Sequence, residues 1–169
     1  MSPRFGDPEP LADHHVLEGF DCGVASLNLW LLEHARQAAA GGSARTYVVV
    51  DGEQDRVVGY HALAAAAISP ADATTRARRG QPRYPIPAVL LARLAVDTSV
   101  QGRGIGAFLL RDAMARALKA SEQIGARILL VHALHDEARA FYERWGFERS
   151  PTDPLNLQLL FKDVRKSLE

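Results

Sequence analysis

The chain has 169 residues, of which 47% are hydrophobic and 24% charged, values typical of one ordinary globular domain. Twenty basic and twenty acidic residues give a formal net charge of zero, which argues against a polybasic nucleic-acid binder. The single cysteine, Cys22, excludes an internal disulfide and a cysteine-based zinc site. The sequence contains neither a membrane helix nor a signal peptide, since Met1–Pro10 carries three prolines, and we therefore expect a cytoplasmic protein.

The neutral total conceals an uneven distribution of charge. Residues 1–40 carry a net charge of −4, residues 41–71 one of −1, residues 72–120 one of +6 and residues 121–169 one of −1. The positive excess therefore lies in one central stretch of the chain, where a polyanionic partner could bind.

The first predicted element is a helix. Leu27, Leu31 and Ala35 recur at helical spacing, and Gly41-Gly42 supplies the glycines that commonly end a helix. We expect residues 1–14, which precede this helix, to be flexible.

A hairpin and a basic segment follow. Tyr47–Val50 and Arg56–Ala66 flank the turn residues Asp51-Gly52, a pattern that predicts two antiparallel strands. Residues 69–87 contain four prolines and four arginines with little apolar content, which predicts a long basic loop that includes a short helix at Pro70–Arg78.

The second half of the chain alternates between buried strands and amphipathic helices. The predicted elements are a central strand over Ala88–Val96, a helix over 104–123, a strand over Arg127–Ala133, a helix over Asp136–Trp145, a strand over Leu155–Phe161 and a polar tail over Asp163–Glu169. Together these elements predict one α+β domain over residues 1–169, with a mixed central sheet of about six to seven strands flanked by helices.

The glycine-rich turn Gln101-Gly102-Arg103-Gly104-Ile105-Gly106 follows the central strand and begins the next helix. Backbone N–H groups in such a turn, with a helix N-terminus behind them, form an anion site that suits a pyrophosphate. The spacing is neither that of a dinucleotide-binding fold nor that of a nucleoside-triphosphate loop. Another phosphate-bearing cofactor therefore fits the turn, as does a tight turn without any ligand.

Two motifs resemble those of a known family. Leu94-Ala95-Val96-Asp97, followed by Gln101-x-x-Gly104-x-Gly106, resembles the acetyl-coenzyme A signature of GCN5-related N-acetyltransferases (GNAT), and Ala138-x-x-Phe141-Tyr142-x-x-x-Gly146-Phe147 resembles their second motif. The resemblance implies the GNAT fold, acetyl-coenzyme A as co-substrate and no metal. The residues that it assigns to the cofactor are Leu94, Ala95, Val96, Gln101, Gly102, Arg103, Gly104, Ile105, Gly106 and Phe141.

The resemblance assigns the catalytic role to Tyr142, as the general acid that protonates the departing thiolate. A phenol with a pKa near 10 matches a thiol leaving group, although an aromatic side chain that merely fills the gap between helix and strand fits the position as well. The backbone N–H of Val96 is the expected donor to the oxyanion. No general base stands out among the candidates His61, His132, His135 and Glu137. This absence favours an α-amine, which titrates near pH 8, over a lysine amine, which titrates near 10.4.

The basic segment has two interpretations. Arg76, Arg78, Arg79 and Arg83 fall within eight residues, and they form either an ordinary solvated loop or a patch whose guanidinium groups bind phosphate. Further similarity, from about residue 15 to residue 161, favours the patch. Phe20-Asp21-Cys22-Gly23, Leu27-Asn28-x-Trp30-Leu31 and Val131-His132-Ala133-Leu134 are among the segments that resemble the acetyltransferase toxins of toxin–antitoxin pairs.

The toxin resemblance implies a substrate and partners. It implies acetylation of the α-amino group of aminoacyl-tRNA, with inhibition of translation, and binding of tRNA phosphates by Arg76, Arg78, Arg79 and Arg83. It also implies a homodimer and a ribbon-helix-helix antitoxin, with operator DNA bound only through the complex with that antitoxin. The alternatives are an acetyltransferase for a small-molecule or protein amine, and a module that binds acetyl-coenzyme A or an antitoxin without catalysis.

Overall fold

The computed structural model describes residues 5–169, so that Met1–Arg4 lie outside the described part. Its strands are β1 (Glu9–Pro10), β2 (Arg45–Asp51), β3 (Arg56–Ile68), β4 (Ile86–Val96), β5 (Ile128–His132), β6 (Glu148–Arg149) and β7 (Asn156–Leu160). Its α-helices are α1 (Ala25–Glu33), α2 (Ala35–Gly41), α3 (Thr75–Arg78), α4 (Ile105–Ile124), α5 (Asp136–Glu143) and α6 (Phe161–Leu168). Short 3₁₀ helices cover Pro70–Asp72 and Thr98–Val100.

The seven strands form a mixed sheet in the order β1-β2-β3-β4-β5-β7-β6. Strands β4 and β5 pair in parallel over Ala88–Leu91 and Ile128–Val131, whereas β2 and β3 pair antiparallel. The predicted α+β class with a mixed sheet is confirmed. No helix within residues 5–169 combines the length and the apolar composition that crossing a bilayer requires.

The chain groups into two compact units. The first contains the residues up to Ala64 together with Ala92–Ala113, and the second contains Ala65–Leu91 together with Met114–Glu169. The glycine-rich turn belongs to the first unit. Tyr142 and the arginine-rich segment belong to the second unit.

The core of the first unit forms between the β2–β3 hairpin and the helices that cover it. Leu31 of α1 and Tyr60 of β3 are almost completely buried in one cluster. Gly59 of β3 allows α4 to approach, since a Cβ at this position would stand 3.0 Å from Cδ1 of Leu109 and 3.3 Å from Cγ2 of Ile105. The glycine therefore brings the first turns of α4 against the strand.

The core of the second unit lies around β5, whose residues Ile128–Val131 are all buried. A cluster of apolar side chains includes Ile128, Leu130 and, from the arginine-rich segment, Ala73 and Ala77, each 1% exposed. The predicted short helix at Pro70–Arg78 is present as the 3₁₀ helix Pro70–Asp72 and α3 at Thr75–Arg78, and these two alanines anchor it to the core. Small alanine side chains are sufficient there because they pack directly against the sheet.

Two expectations at the ends of the described chain are wrong. Phe5 is buried and forms a bridge to Asp51, and β1 pairs with β2, so residues 5–14 are not a loose segment. All but the last residue of the predicted polar tail over Asp163–Glu169 instead belongs to α6, in which Val164 is fully buried. Phe161, Val164 and Leu168 share one face at helical spacing, and the surrounding charges conceal that pattern in the sequence.

Candidate active site

The glycine-rich turn presents unpaired backbone donors. Gly102 and Gly104 both have φ +81°, a left-handed conformation that favours glycine, and a Cβ at either position would meet open space. None of the backbone N–H groups of residues 101–106 donates to any residue that the structure describes. The 20-residue helix α4 begins at Ile105, so its N-terminal positive potential adds to these donors. This arrangement fits a pyrophosphate.

The side chain of Gln101 has a structural role. Its Nε2 donates to the carbonyl oxygen of Val96 at 2.9 Å and to that of Cys22 at 3.2 Å. The amide therefore joins the end of β4 to the segment that precedes α1. The backbone N–H of Gln101 therefore remains available to the predicted cofactor site.

The side chains of the predicted pantetheine strand pack within the first unit. Leu94 and Val96 pack against the cluster that contains Ile105 and Leu109 of α4, and Ala95 is buried in another cluster. A Cβ at Gly106 would lie 3.9 Å from Cγ2 of Val96, so the turn and the strand are close neighbours. The contribution of this part of β4 to a bound pantetheine arm would therefore come from its backbone.

Asp97 stabilises the turn, a role that the sequence analysis did not assign to it. One carboxylate oxygen accepts from the N–H and hydroxyl of Ser99 at 3.0 and 2.6 Å, and the other accepts from the N–H of Asp21 and from Arg56 at 2.9 and 3.1 Å. Burial alone would raise the pKa of Asp97, but the hydrogen bonds from Ser99 and Asp21 and the charge of Arg56 outweigh it and lower the pKa. An acidic residue directly after a buried strand is the signal that could have identified it.

Tyr142 lies on α5 in the second unit and is 7% exposed. Its ring makes edge-to-face contacts with Phe141 at 5.2 Å and with Phe147 at 5.7 Å between centroids. No described residue bonds to its hydroxyl, and burial raises the pKa of the phenol well above its ordinary value. The ring therefore packs as an aromatic filler, while the hydroxyl keeps its proton and has no partner among the described residues, and the catalytic role stays a prediction.

Each of the candidate general bases has surroundings that fit a structural or surface residue. His61 is fully buried, with its Nε2 2.8 Å from Asp112. His135 caps α5, since its Nδ1 accepts the N–H of Ala138 at 3.2 Å. His132 and Glu137 are exposed, the latter in the first turn of α5, where a carboxylate favours the helix dipole. The sequence-based expectation of an acceptor with a low pKa remains consistent with these surroundings.

The four arginines of the basic segment are not equivalent. Arg76 forms ion pairs with Glu148 at 3.0 Å and with Asp163 at 2.8 Å. Arg78, Arg79 and Arg83 are exposed, and none of them pairs with an acidic side chain among residues 5–169. Arg76 therefore differs from the other three in already having carboxylate partners, and phosphate binding by all four stays a prediction.

Arg93 of β4 is half-buried against α1. The centre of its guanidinium lies 4.4 Å from the ring centroid of Trp30, and that ring stacks in turn on Tyr60 at 6.0 Å. The sequence analysis did not include Arg93 among the phosphate-binding arginines, and the structure gives it this packing contact.

One group of potential metal ligands, Glu9, His14 and His15, occurs among residues 5–169. Nδ1 of His15 accepts the N–H of Ala12 at 2.9 Å, so its other nitrogen carries the proton and donates to Glu9 at 2.6 Å. A ring with both nitrogens engaged in this way has no lone pair left for a metal. The group therefore does not form a metal site in this arrangement.

Comparison with protein families identifies the domain. Residues 42–149 match the acetyltransferase (GNAT) domain, a range that includes the glycine-rich turn and Tyr142. A tRNA-acetylating toxin of Mycobacterium tuberculosis (strain ATCC 25618 / H37Rv) is 48% identical over 161 residues, which cover 95% of each chain.

Two solved structures share the fold over nearly the whole chain. A tyrosine-to-phenylalanine mutant of KacT has a TM-score of 0.90 at 32% identity and covers 96% of this chain and 98% of that chain. AtaT complexed with acetyl-methionyl-tRNAfMet has a TM-score of 0.88 at 30% identity, and the match covers 98% of this chain and 99% of that chain. These similarities confirm the resemblance that the two motifs indicate.

Related structures contain further molecules. An AtaT mutant bound to the C-terminus of the antitoxin AtaR and to acetyl-CoA has a TM-score of 0.80 at 29% identity, covering 96% of this chain and 97% of that chain. A KacTA–DNA complex has a TM-score of 0.80 at 34% identity, covering 96% of each.

Proposed function

The chain belongs to the GNAT acetyltransferase family, and on that premise we propose that it transfers the acetyl group of acetyl-coenzyme A to the α-amino group of an aminoacyl-tRNA. The observation that carries this proposal is the 48% identity, over 95% of both chains, to a tRNA-acetylating toxin. AtaT, which shares the fold, is complexed with an acetylated methionyl-tRNA. An acetylated α-amine is no longer nucleophilic, so the product cannot extend a peptide and the enzyme acts as a toxin that inhibits translation.

The reaction exchanges one bond for another. Acetyl-coenzyme A supplies a thioester, whose C–S bond breaks as the C–N bond to the amine forms; the amine loses a proton and the sulfur gains one. We assign the second proton to Tyr142, because its buried phenol stays protonated at physiological pH and its hydroxyl has no partner among the described residues. The N–H of Val96 is our candidate donor to the thioester oxygen.

The cofactor would be bound mainly by backbone groups. The unpaired N–H groups of residues 101–106 support a pyrophosphate site, and the packing of Leu94, Ala95 and Val96 leaves the backbone of β4 for the pantetheine arm. Phe141, which is half-buried beside Tyr142, is assigned to the same cofactor. The chemistry of this donor set requires no metal.

Arginines of the basic segment would bind the tRNA. Arg78, Arg79 and Arg83 are exposed, and guanidinium groups bind phosphate oxygens well. Arg76 takes a different role because two carboxylates already bind it. We further propose that residues 1–169 act as one catalytic domain and that the segment 69–87 is its tRNA-binding part.

Two relatives support the proposal of an antitoxin and of DNA as partners. AtaT binds the C-terminus of the antitoxin AtaR, and KacTA binds DNA, so we propose a cognate antitoxin of the ribbon-helix-helix class through which this chain reaches operator DNA. We also propose a homodimer that acts in the cytoplasm, where charged tRNA is found. Light scattering tests the dimer, and Leu29 and Leu32, which are half-exposed one turn apart on α1, are the first positions to replace with charge.

Mass spectrometry of charged tRNA tests the function directly. Incubation with labelled acetyl-coenzyme A should add one acetyl group to the aminoacyl moiety, and deacylated tRNA should remain unmodified. A parallel panel of small amines and peptides tests the alternative acceptors. Efficient acetylation of a small amine together with unmodified charged tRNA would overturn the proposal.

A further inference from the structure

The four-residue helix α3, which carries Arg76 and Arg78, is too short to be stable alone. Its N-terminal end is bound to the sheet. The hydroxyl of Thr74 accepts the N–H of Ala77 at 3.1 Å, and the N–H of Thr74 donates to Oε1 of Gln158 on β7 at 3.0 Å. The Nε2 of Gln158 donates to the carbonyl oxygen of Asp72 at 2.7 Å, so this one side chain bonds the segment twice.

A single arginine from outside the segment binds the other end of α3. Nε of Arg127 donates to the carbonyl oxygen of Ala77 at 2.7 Å, and its Nη2 donates to the carbonyl oxygens of Arg76 and Arg79, both at 3.2 Å. These carbonyls are at the C-terminal end of the helix, where no intrahelical donor is available and where a positive charge is favourable. Arg127 thus supplies both the hydrogen bonds and the charge that this end lacks.

The backbone of Arg127 is itself fixed. Its N–H donates to the carbonyl oxygen of Pro87 at 2.9 Å, and its carbonyl oxygen accepts the N–H of Phe161 at 3.1 Å. The guanidinium therefore extends from a position that two neighbouring strand ends determine. Arg76 adds a third connection through its ion pairs with Glu148 and Asp163.

We propose that Arg127 is a positioning residue for tRNA recognition, which holds the C-terminal turn of α3 so that Arg78 and Arg79 present their side chains to phosphates. The proposal rests on the proposed function. Two arginines, Arg76 and Arg127, are engaged with the protein, whereas Arg78 and Arg79 extend from the turn that these two stabilise. Binding of a rigid polyanion gains from charges that are already in place, because less conformational freedom is lost on association.

Replacement of Arg127 by lysine tests the geometry while keeping the charge. A lysine ammonium cannot reproduce the planar fork that reaches three carbonyl groups. We expect R127K to raise KM for charged tRNA about five- to tenfold, with kcat and KM for acetyl-coenzyme A unchanged. The matched control is R36K, because Arg36 also donates to three backbone carbonyls, those of Ala12, Asp13 and His15, in the first unit; its KM for tRNA should stay at the wild-type value.

A double-mutant cycle distinguishes positioning from direct contact. In the R78Q/R79Q background, R127K should raise KM for tRNA no further, because the side chains that it positions are absent. An equal increase in both backgrounds, or no increase in the wild-type background, would overturn the proposal.

Hydrogen exchange separates this proposal from the function on which it rests. The amides of Arg78 and Arg79 donate to the carbonyl oxygens of Thr74 and Thr75, and both amides should exchange faster in R127K than in wild type or R36K. If wild-type protein leaves charged tRNA unmodified, the proposed function fails while this measurement still reports whether Arg127 holds α3. Unchanged exchange at both amides would contradict the positioning role itself.

Discussion

At the residue scale, the proposed chemistry depends on the proton of one phenol. Tyr142 is enclosed by Phe141 and Phe147, and burial raises the pKa of its hydroxyl because the phenolate would be poorly solvated. The same packing that makes Tyr142 resemble a structural aromatic residue therefore keeps its hydroxyl protonated, which the proposed general acid requires. A packed ring is thus compatible with the proposed catalytic role.

Replacement of Tyr142 by phenylalanine keeps the ring and removes the proton. We expect kcat to fall by roughly 10²–10⁴-fold, the usual contribution of a general acid, with KM for acetyl-coenzyme A nearly unchanged. Steady-state kinetics with charged tRNA measure both constants. A kcat for Tyr142→Phe within a factor of three of wild type would contradict the role.

The pH profile follows from the direction of the pKa shift. The α-amine becomes nucleophilic as it loses its proton near pH 8, so kcat/KM should rise through that range. The raised pKa keeps Tyr142 in its acidic form, so no descending limb should appear below about pH 10. Initial rates measured over seconds limit hydrolysis of the aminoacyl ester at high pH. A decline of kcat/KM between pH 8 and 9.5 would assign the proton donor to another group.

The interactions of Asp97 make the free energy of unfolding depend on pH in the acidic range. Its pKa is lower in the folded chain, so its stabilising contribution is present above the unfolded value near 3.9 and is lost as the pH falls through the folded value. Asp97→Asn should cost roughly 2–3 kcal/mol at pH 7, because an amide nitrogen then faces buried donors. Urea unfolding measures the free energy of unfolding, and the difference in this quantity between Asp97→Asn and wild type should become smaller towards pH 3. The control variant Asp7→Asn, at an exposed position, should match wild type at both pH 7 and pH 3.

At the element scale, the turn between β4 and α4 owes its donors to backbone conformation. Gly104→Ala places a Cβ in open space but at φ +81°, a conformation that costs an L-residue roughly 1–2 kcal/mol. The turn should relax and misalign its N–H groups, which raises KM for acetyl-coenzyme A up to about tenfold. Gly41→Ala, in α2 with equally open space and no positive φ, is the control. An unchanged KM for Gly104→Ala would separate the turn from cofactor binding.

The helix α3 shows that a sequence can predict an element without revealing which residues stabilise it. The composition of residues 69–87 predicts a basic loop, and the short helix within it is confirmed, but the connections that stabilise it come from Arg127 and Gln158. These residues lie about 50 and 80 positions further along the chain. No local pattern reports such hydrogen bonds, since both partners are single polar residues without characteristic spacing.

At the scale of the whole molecule, the distribution of charge determines the response to salt. The +6 stretch contains four exposed arginines that no acidic side chain among residues 5–169 balances, namely Arg103 of the glycine-rich turn and Arg78, Arg79 and Arg83 of the basic segment. Each phosphate contact contributes about one unit to the slope of log K against log salt. Replacing Arg78, Arg79 and Arg83 by glutamine should therefore lower the slope of tRNA binding by roughly 2–3. Fluorescence titration at several salt concentrations measures this slope, with Arg45→Gln as the control variant. An unchanged slope in the triple variant would show that the positive charge of this stretch does not contribute to tRNA binding.

The sequence by itself determined most of the elements and the family. Hydrophobic periodicity is local, so it correctly predicts the hairpin, the central strand and helices α4 and α5, and the spacing of two motifs identifies a GNAT acetyltransferase. Only the tertiary structure distinguished Arg76 from Arg78 and Arg79, assigned Asp97 to the turn and showed that α6 is packed. Charge pairing and burial depend on residues that are distant in the chain, and a one-dimensional pattern carries no information about which of them meet.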